Sequence, residues 1–231
     1  MKKLLSYLFV AFLSVLVITG CGSKKDKKDD KKEDVKFEVD SVSAEKFKNE
    51  YEQYNDIEVN GVVLMNLDIP EENPIHYATY EELLTIFDET SIVFFGSPTS
   101  VDSREIIETL FETAKANDIS RIYYVNLNNF ENQFENQGGQ IVKTVNEQEG
   151  YYEVLDKLFL ELDEYFIDGM DVGEKRISAP SIFFIQDGTV IGKYTSASFA
   201  DEEEETKTKK ISQKFNYYME QIYSDYCSDQ C

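Results

Sequence analysis

The chain has 231 residues, of which 45 are acidic against 23 lysines and arginines and a single histidine, giving a formal net charge of −22. Binding to nucleic acid needs a basic face, so this balance argues against such a partner, and solubility is the simplest meaning of the acid. Tryptophan is absent, and 15 tyrosines and 16 phenylalanines must supply the aromatic bulk of any core.

Lys2, Lys3 and the apolar run from Leu4 to Val17 read as an export signal. The run is shorter than the roughly 20 residues that span a bilayer, which favours a cleaved signal peptide over 1–20 rather than an anchor helix. Ile18-Thr19-Gly20-Cys21 resembles the bacterial lipobox. That resemblance implies that Cys21 is diacylated and becomes the N-terminus, and that the protein sits on the extracytoplasmic face of a bacterial cell membrane. Residues 21–36 are almost wholly charged after the cysteine, bury nothing, and predict a disordered tether. About 195 residues follow, enough for one elaborated domain with a sizeable core.

An N-terminal extension over 37–74 is expected to hold a helix over 43–56, with Ser43 as N-cap and Phe47, Tyr51 and Tyr54 on one face. A buried strand should follow over 61–67 (GVVLMNL), ending before Pro70 and Pro74. The second part, 75–231, begins as a short strand leading into an amphipathic helix that carries Leu83, Leu84 and Phe87. Residues 91–96 (SIVFFG) have the apolar continuity of a strand covered on both faces. Ile106, Ile107, Leu110, Phe111 and Ala114 place a helix over 101–117, and 119–127 reads as the next strand. Strand, helix, strand at this spacing predicts a parallel βαβ unit. Residues 128–150 look irregular, and Tyr151, Leu155, Leu158, Leu162 and Phe166 predict an inserted helix over 150–167. Asp187-Gly188 between two apolar runs signals an antiparallel hairpin. The acidic 201–205 run suits the start of a final helix bearing Ile211, Phe215, Tyr218, Ile222 and Tyr226.

This order, with "IVFFGSPTSVDSRE" ahead of "ISAPSIFFIQDGTVIGKY", resembles the thioredoxin-like superfamily over roughly residues 75–226. The resemblance implies an α/β fold of three layers, a central mixed sheet flanked by helices, with a helical insertion before the strand that follows a cis-proline. Residue by residue, Ser100 and Ser103 stand where the family carries its Cys-x-x-Cys pair, and Pro180, preceded by Ala179, stands at the cis-proline that lines the groove for extended substrate. The match is degenerate where the chemistry resides. A serine hydroxyl at a helix N-terminus neither ionises near neutral pH nor forms a disulfide, so thiol–disulfide exchange at Ser100 and Ser103 is excluded. Hydrolysis by Ser100 would need a base, and the only histidine, His76, lies on an early strand with no Gly-x-Ser-x-Gly turn around the serine. Ser100 and Ser103 read instead as a helix cap and a satisfied turn.

Cys227 and Cys231 remain in an exported chain that permits a disulfide. A structural bridge at the terminus is one reading, and a redox pair used by an oxidoreductase is the alternative. Their acidic neighbours Asp225 and Asp229 do not favour a thiolate, and two thiols alone make no closed zinc site. No metal or cofactor is expected. An engineered double Cys→Ser form of an active enzyme would show the same pattern. The leading expectation is a membrane-anchored accessory protein, without catalytic residues at its pseudo-active site, that binds an extended peptide or an envelope protein.

Overall fold

The computed structural model describes residues 40–200 and 203–228. The segments expected to be a signal peptide and a tether, with Cys21, and Cys231 lie outside the described residues, as does the side chain of Cys227. The first helix, α1 (Ser41–Glu52), is capped by Asp40 rather than Ser43. Asp40 Oδ1 accepts from the backbone N–H groups of Val42 and Ser43 at 3.2 Å each, and Oδ2 accepts from the Ser43 hydroxyl at 2.7 Å. An ionised side chain serves the orphan N–H groups better than a hydroxyl, and these bonds hold the Asp40 carboxyl below its ordinary value.

The strand expected over 61–67 is not formed. Instead β1 (Glu58–Val59) and β2 (Val62–Val63) make a short exposed hairpin around Asn60-Gly61, both at positive φ. Of the expected run only Leu64 is buried. The chain then passes through an irregular segment held by buried Asn73, whose amide donates to Ala44 O at 3.2 Å and Pro70 O at 3.0 Å.

From β3 (Ile75–Tyr77) the chain enters α2 (Tyr80–Ile86) through a capping box of Thr79 and Glu82. Strand β4 (Ser91–Gly96) follows, then α3 (Val101–Glu105) and α4 (Ile107–Ala116), which are separated at Ile106 where one continuous helix was expected. Strand β5 (Ile122–Asn126) leads into the insertion. There the hairpin β6 (Gln133–Gln137) and β7 (Gln140–Val145) replaces the irregular segment. The helix expected over 150–167 is only α5 (Tyr151–Lys157). Its second half is β8 (Asp163–Ile167), paired with β9 (Met170–Arg176). The cause is the Asp168-Gly169 turn, with φ of 51° and 78°, which reverses the chain and imposes the two-residue period of a strand. Strands β10 (Ser181–Gln186) and β11 (Thr189–Thr195) form the hairpin around Asp187-Gly188, and α6 (Glu204–Ser228) closes the described chain.

Five strands form one mixed sheet in the order β11-β10-β4-β5-β3, with β3, β4 and β5 parallel and β10 antiparallel to both its neighbours. Alternation along the central strands feeds two cores. Ile92 and Phe94 of β4 with Ile182 and Phe184 of β10 meet Phe47 and Tyr51 of α1, Leu110 of α4, and Phe215 and Met219 of α6. Val93, Phe95, Phe183 and Ile185 meet Leu83 and Ile86 of α2 and Tyr151, Val154 and Leu155 of α5. Burial on both faces explains why β4 and β10 are continuous apolar runs rather than alternating ones. On α6, Met219 takes the buried position expected of Tyr218, which is half-buried and stacks on Phe184 at 5.1 Å.

Candidate functional site

The C-terminal end of β4 runs into a turn built from small and hydroxylated residues. Gly96 permits the approach: a Cβ there would come within 2.6 Å of the Phe94 ring and 2.7 Å of Tyr51 Oη. Ser97 and Pro98 are buried behind it. Ser97 Oγ donates to Asn128 Oδ1 at 2.8 Å, lies 3.0 Å from Thr99 Oγ1 and accepts from Thr99 N at 3.3 Å, while Asn128 Nδ2 donates to Thr99 Oγ1 at 3.1 Å. These bonds tie the loop after β4 to the loop after β5, at the carboxyl ends of two adjacent parallel strands.

Both predicted site serines take part in the turn itself. Ser100 is the N-cap of α3, its Oγ accepting from Ser103 N at 3.2 Å. Ser103 is fully buried, and its Oγ accepts from Ser97 N at 3.2 Å. The two side chains therefore satisfy orphan backbone donors at a strand end and a helix start.

Arg104 is the residue that the sequence did not announce. It is fully buried, yet none of its contacts is to a carboxylate: Nε donates to Met65 O at 2.8 Å, Nη1 to Tyr51 O at 2.8 Å and Pro98 O at 3.1 Å, and Nη2 to Asn55 Oδ1 at 2.7 Å. Burial pulls its acidity upward, away from the usual arginine range. Carbonyl dipoles stand in for a counter-ion, and the guanidinium pins the N-terminal segment to the back of the Ser97–Ser100 turn.

The Pro180 loop arrives beside this turn through strand register. Ser181 of β10 pairs with Phe95 of β4, which brings Pro180 level with Gly96. The Ala179–Pro180 bond is cis, Pro180 is buried and Ala179 half-buried. Ser181 Oγ donates to Ser178 O at 2.6 Å and fixes the loop. His76 is elsewhere, on the edge strand β3, with Nδ1 3.0 Å from Asp40 Oδ2. Among the described residues, no three His, Cys, Asp or Glu side chains group as a metal site would, and no helix is long and apolar enough to cross a membrane.

A second polar cluster ties separate stretches of the segment between β5 and β10 to one another. Arg176 donates from Nη2 to Asn132 O and Oδ1, its Nε lies 3.1 Å from Glu131, and its guanidinium sits 4.0 Å from the Tyr165 ring centre. Burial outweighs the attraction of Arg176 and raises the Glu131 carboxyl to about 7. Nothing in the residue spacing pointed to this cluster, because its members come from three separate stretches of a segment read as loop and helix. No family model, curated protein or solved structure matches the chain.

Proposed function

We propose that the protein is an exported, lipid-anchored member of the thioredoxin-like superfamily that has no redox pair at Ser100 and Ser103 and acts by holding an extended peptide or protein in the bacterial envelope. The observation that carries this reading is the use of the two serine hydroxyls. Both accept backbone N–H bonds within the turn, so they cap the helix and close the turn, and as hydroxyls they neither ionise there nor form a disulfide. The order of strands and helices, and the register that sets the Pro180 loop beside the end of β4, support the fold assignment, and these two loops are the sides of the proposed groove.

Three measurements on the full chain test it. Insulin reduction should stay at background, and turnover that disappears in Cys227→Ser would move the chemistry to the C-terminal cysteines. The double substitution Ser100→Cys with Ser103→Cys should create a reducible disulfide; failure to form one in a folded protein would count against the superfamily placement. Reduced insulin B chain, used as an unfolded probe, should shift the backbone amide signals of Gly96–Ser100 and Ser178–Ser181, and shifts confined to other surfaces would remove the groove.

A further inference from the structure

The insertion between β5 and β10 carries an open strand edge. β6 and β7 pair only with each other, as do β8 and β9. β6 faces β8, with the Phe134 and Tyr165 rings 6.2 Å apart and the Asn136 amide donating to Asp168 at 3.0 Å. The outward N–H and C=O groups of β7 meet no backbone partner among the described residues.

A two-stranded hairpin is marginal in water by itself. This one is braced at its tip by Asn136 and Asp168 and at its base by Asn132, whose amide donates to Tyr152 Oη at 3.0 Å and Glu174 at 3.2 Å. The bracing presents β7 as a rigid template. Two devices that normally blunt such an edge are weak here: the register break at Thr144, opposite Gln133 and Phe134, falls near the end of the strand and leaves Gln140–Lys143 regular, and the one lysine is engaged elsewhere. The strand has no proline, four of its six residues are β-branched, and Val142 and Val145 are exposed. Its single lysine, Lys143, turns its ammonium back to Glu147 at 2.8 Å and Tyr152 at 3.0 Å.

Charge identifies the occupant. Residues 128–177 contain twelve carboxylates and four basic side chains. Each of the four already has an acidic neighbour: Lys143 has Glu147, Lys157 has Asp88, Lys175 has Glu164 and Arg176 has Glu131. The excess acid is left for a partner, and a second copy of the chain would oppose it with more acid.

We propose that β7 is a docking strand for an extended cationic segment of another polypeptide, which pairs with Gln140–Val145 as a third strand of the hairpin. Main-chain hydrogen bonds supply the affinity, and the excess of carboxylates across residues 128–177 steers the encounter. This surface is separate from the proposed groove and stands or falls independently of it.

The test titrates a short synthetic peptide of alternating lysine and valine into the isotope-labelled full chain. The backbone amides of Gln140–Val145 should shift, and binding should weaken roughly tenfold or more between about 0.05 M and 0.5 M salt. The same peptide N-methylated at alternate positions should lose roughly tenfold in affinity, because it cannot complete the ladder. Val142→Lys with Val145→Lys should lose as much while keeping the wild-type melting temperature, since both side chains are exposed. Equal binding by the N-methylated peptide, no binding at all, or shifts away from β7 would overturn the proposal. A concentration-dependent dimer of the protein alone, abolished by the double lysine variant, would assign the edge to a second copy instead.

Discussion

Arg104 shows how a single side chain holds two parts of the chain together without a counter-charge. Replacing it with Met would leave the carbonyls of Met65 and Pro98 without this donor, whereas Tyr51 O keeps the Tyr54 N–H and Asn55 Oδ1 keeps the Leu67 N–H. Each such group costs about 1–3 kcal/mol, so Arg104→Met is expected to destabilise by about 3 kcal/mol or more in urea unfolding. Arg104→Lys keeps the charge but not the fork that reaches several acceptors, and should fall between the two. Glu131 gives a prediction in pH. Its carboxyl titrates near 7 in the folded protein against an ordinary 4.5. A raised acid contributes its stability below the unfolded value and loses it as pH rises through the folded one. Glu131→Gln should therefore gain on the wild type by up to about 3 kcal/mol between pH 5 and pH 8. A gap that stays constant across that window would show that the carboxyl is already ionised at pH 5. Neither residue was legible in sequence. An arginine after Ser103 in a helix reads as solvent-facing, and only the fold brings the carbonyls from around residues 51 and 65 to it.

At the scale of elements, legibility followed burial on two faces. The apolar runs of β4, β5 and β10 announced themselves because those strands are buried or half-buried on both faces. The insertion misled because Leu155, Leu158 and Leu162 do keep a helical spacing and are buried, but Phe166, which continued the pattern, is 56 % exposed on β8. The deciding signal was local. Asn60-Gly61, Gly138-Gly139, Asp168-Gly169 and Asp187-Gly188 are all two-residue turns with both residues at positive φ, and only the last was read as a hairpin. The Ser100 and Pro180 placements owe little to such signals, since residues adjacent across β4 and β10 are more than eighty positions apart in sequence. Amide exchange should follow the same division. Amides in β4 and β10 are expected to open only near global unfolding, whereas β1, β2 and the outer edge of β7 exchange orders of magnitude faster. Uniform protection across the insertion would mean that it folds as part of the central sheet's cooperative unit.

For the molecule as a whole, a charge of −22 on 231 residues is a repulsive term that opposes compactness. Raising the salt from about 10 mM to about 500 mM should therefore raise the melting temperature by a few degrees, because screening relieves repulsion more than it weakens exposed ion pairs. A fall would indicate that surface pairs such as Lys48–Glu52 and Lys207–Glu105 dominate. The shared turn geometry also bears on the chemical lifetime of the protein. Asn-Gly and Asp-Gly are the sequences in which the following nitrogen, unhindered by a side chain, can attack the side-chain carbonyl and rearrange the main chain to isoaspartate. Such a rearrangement lengthens the backbone inside a turn that has no slack, and it would break the register of Glu58 with Val63 or of Ile167 with Met170. The β6–β7 turn is Gly-Gly and has no side chain to react, so the hairpin that carries β7 is built to outlast its neighbours during storage.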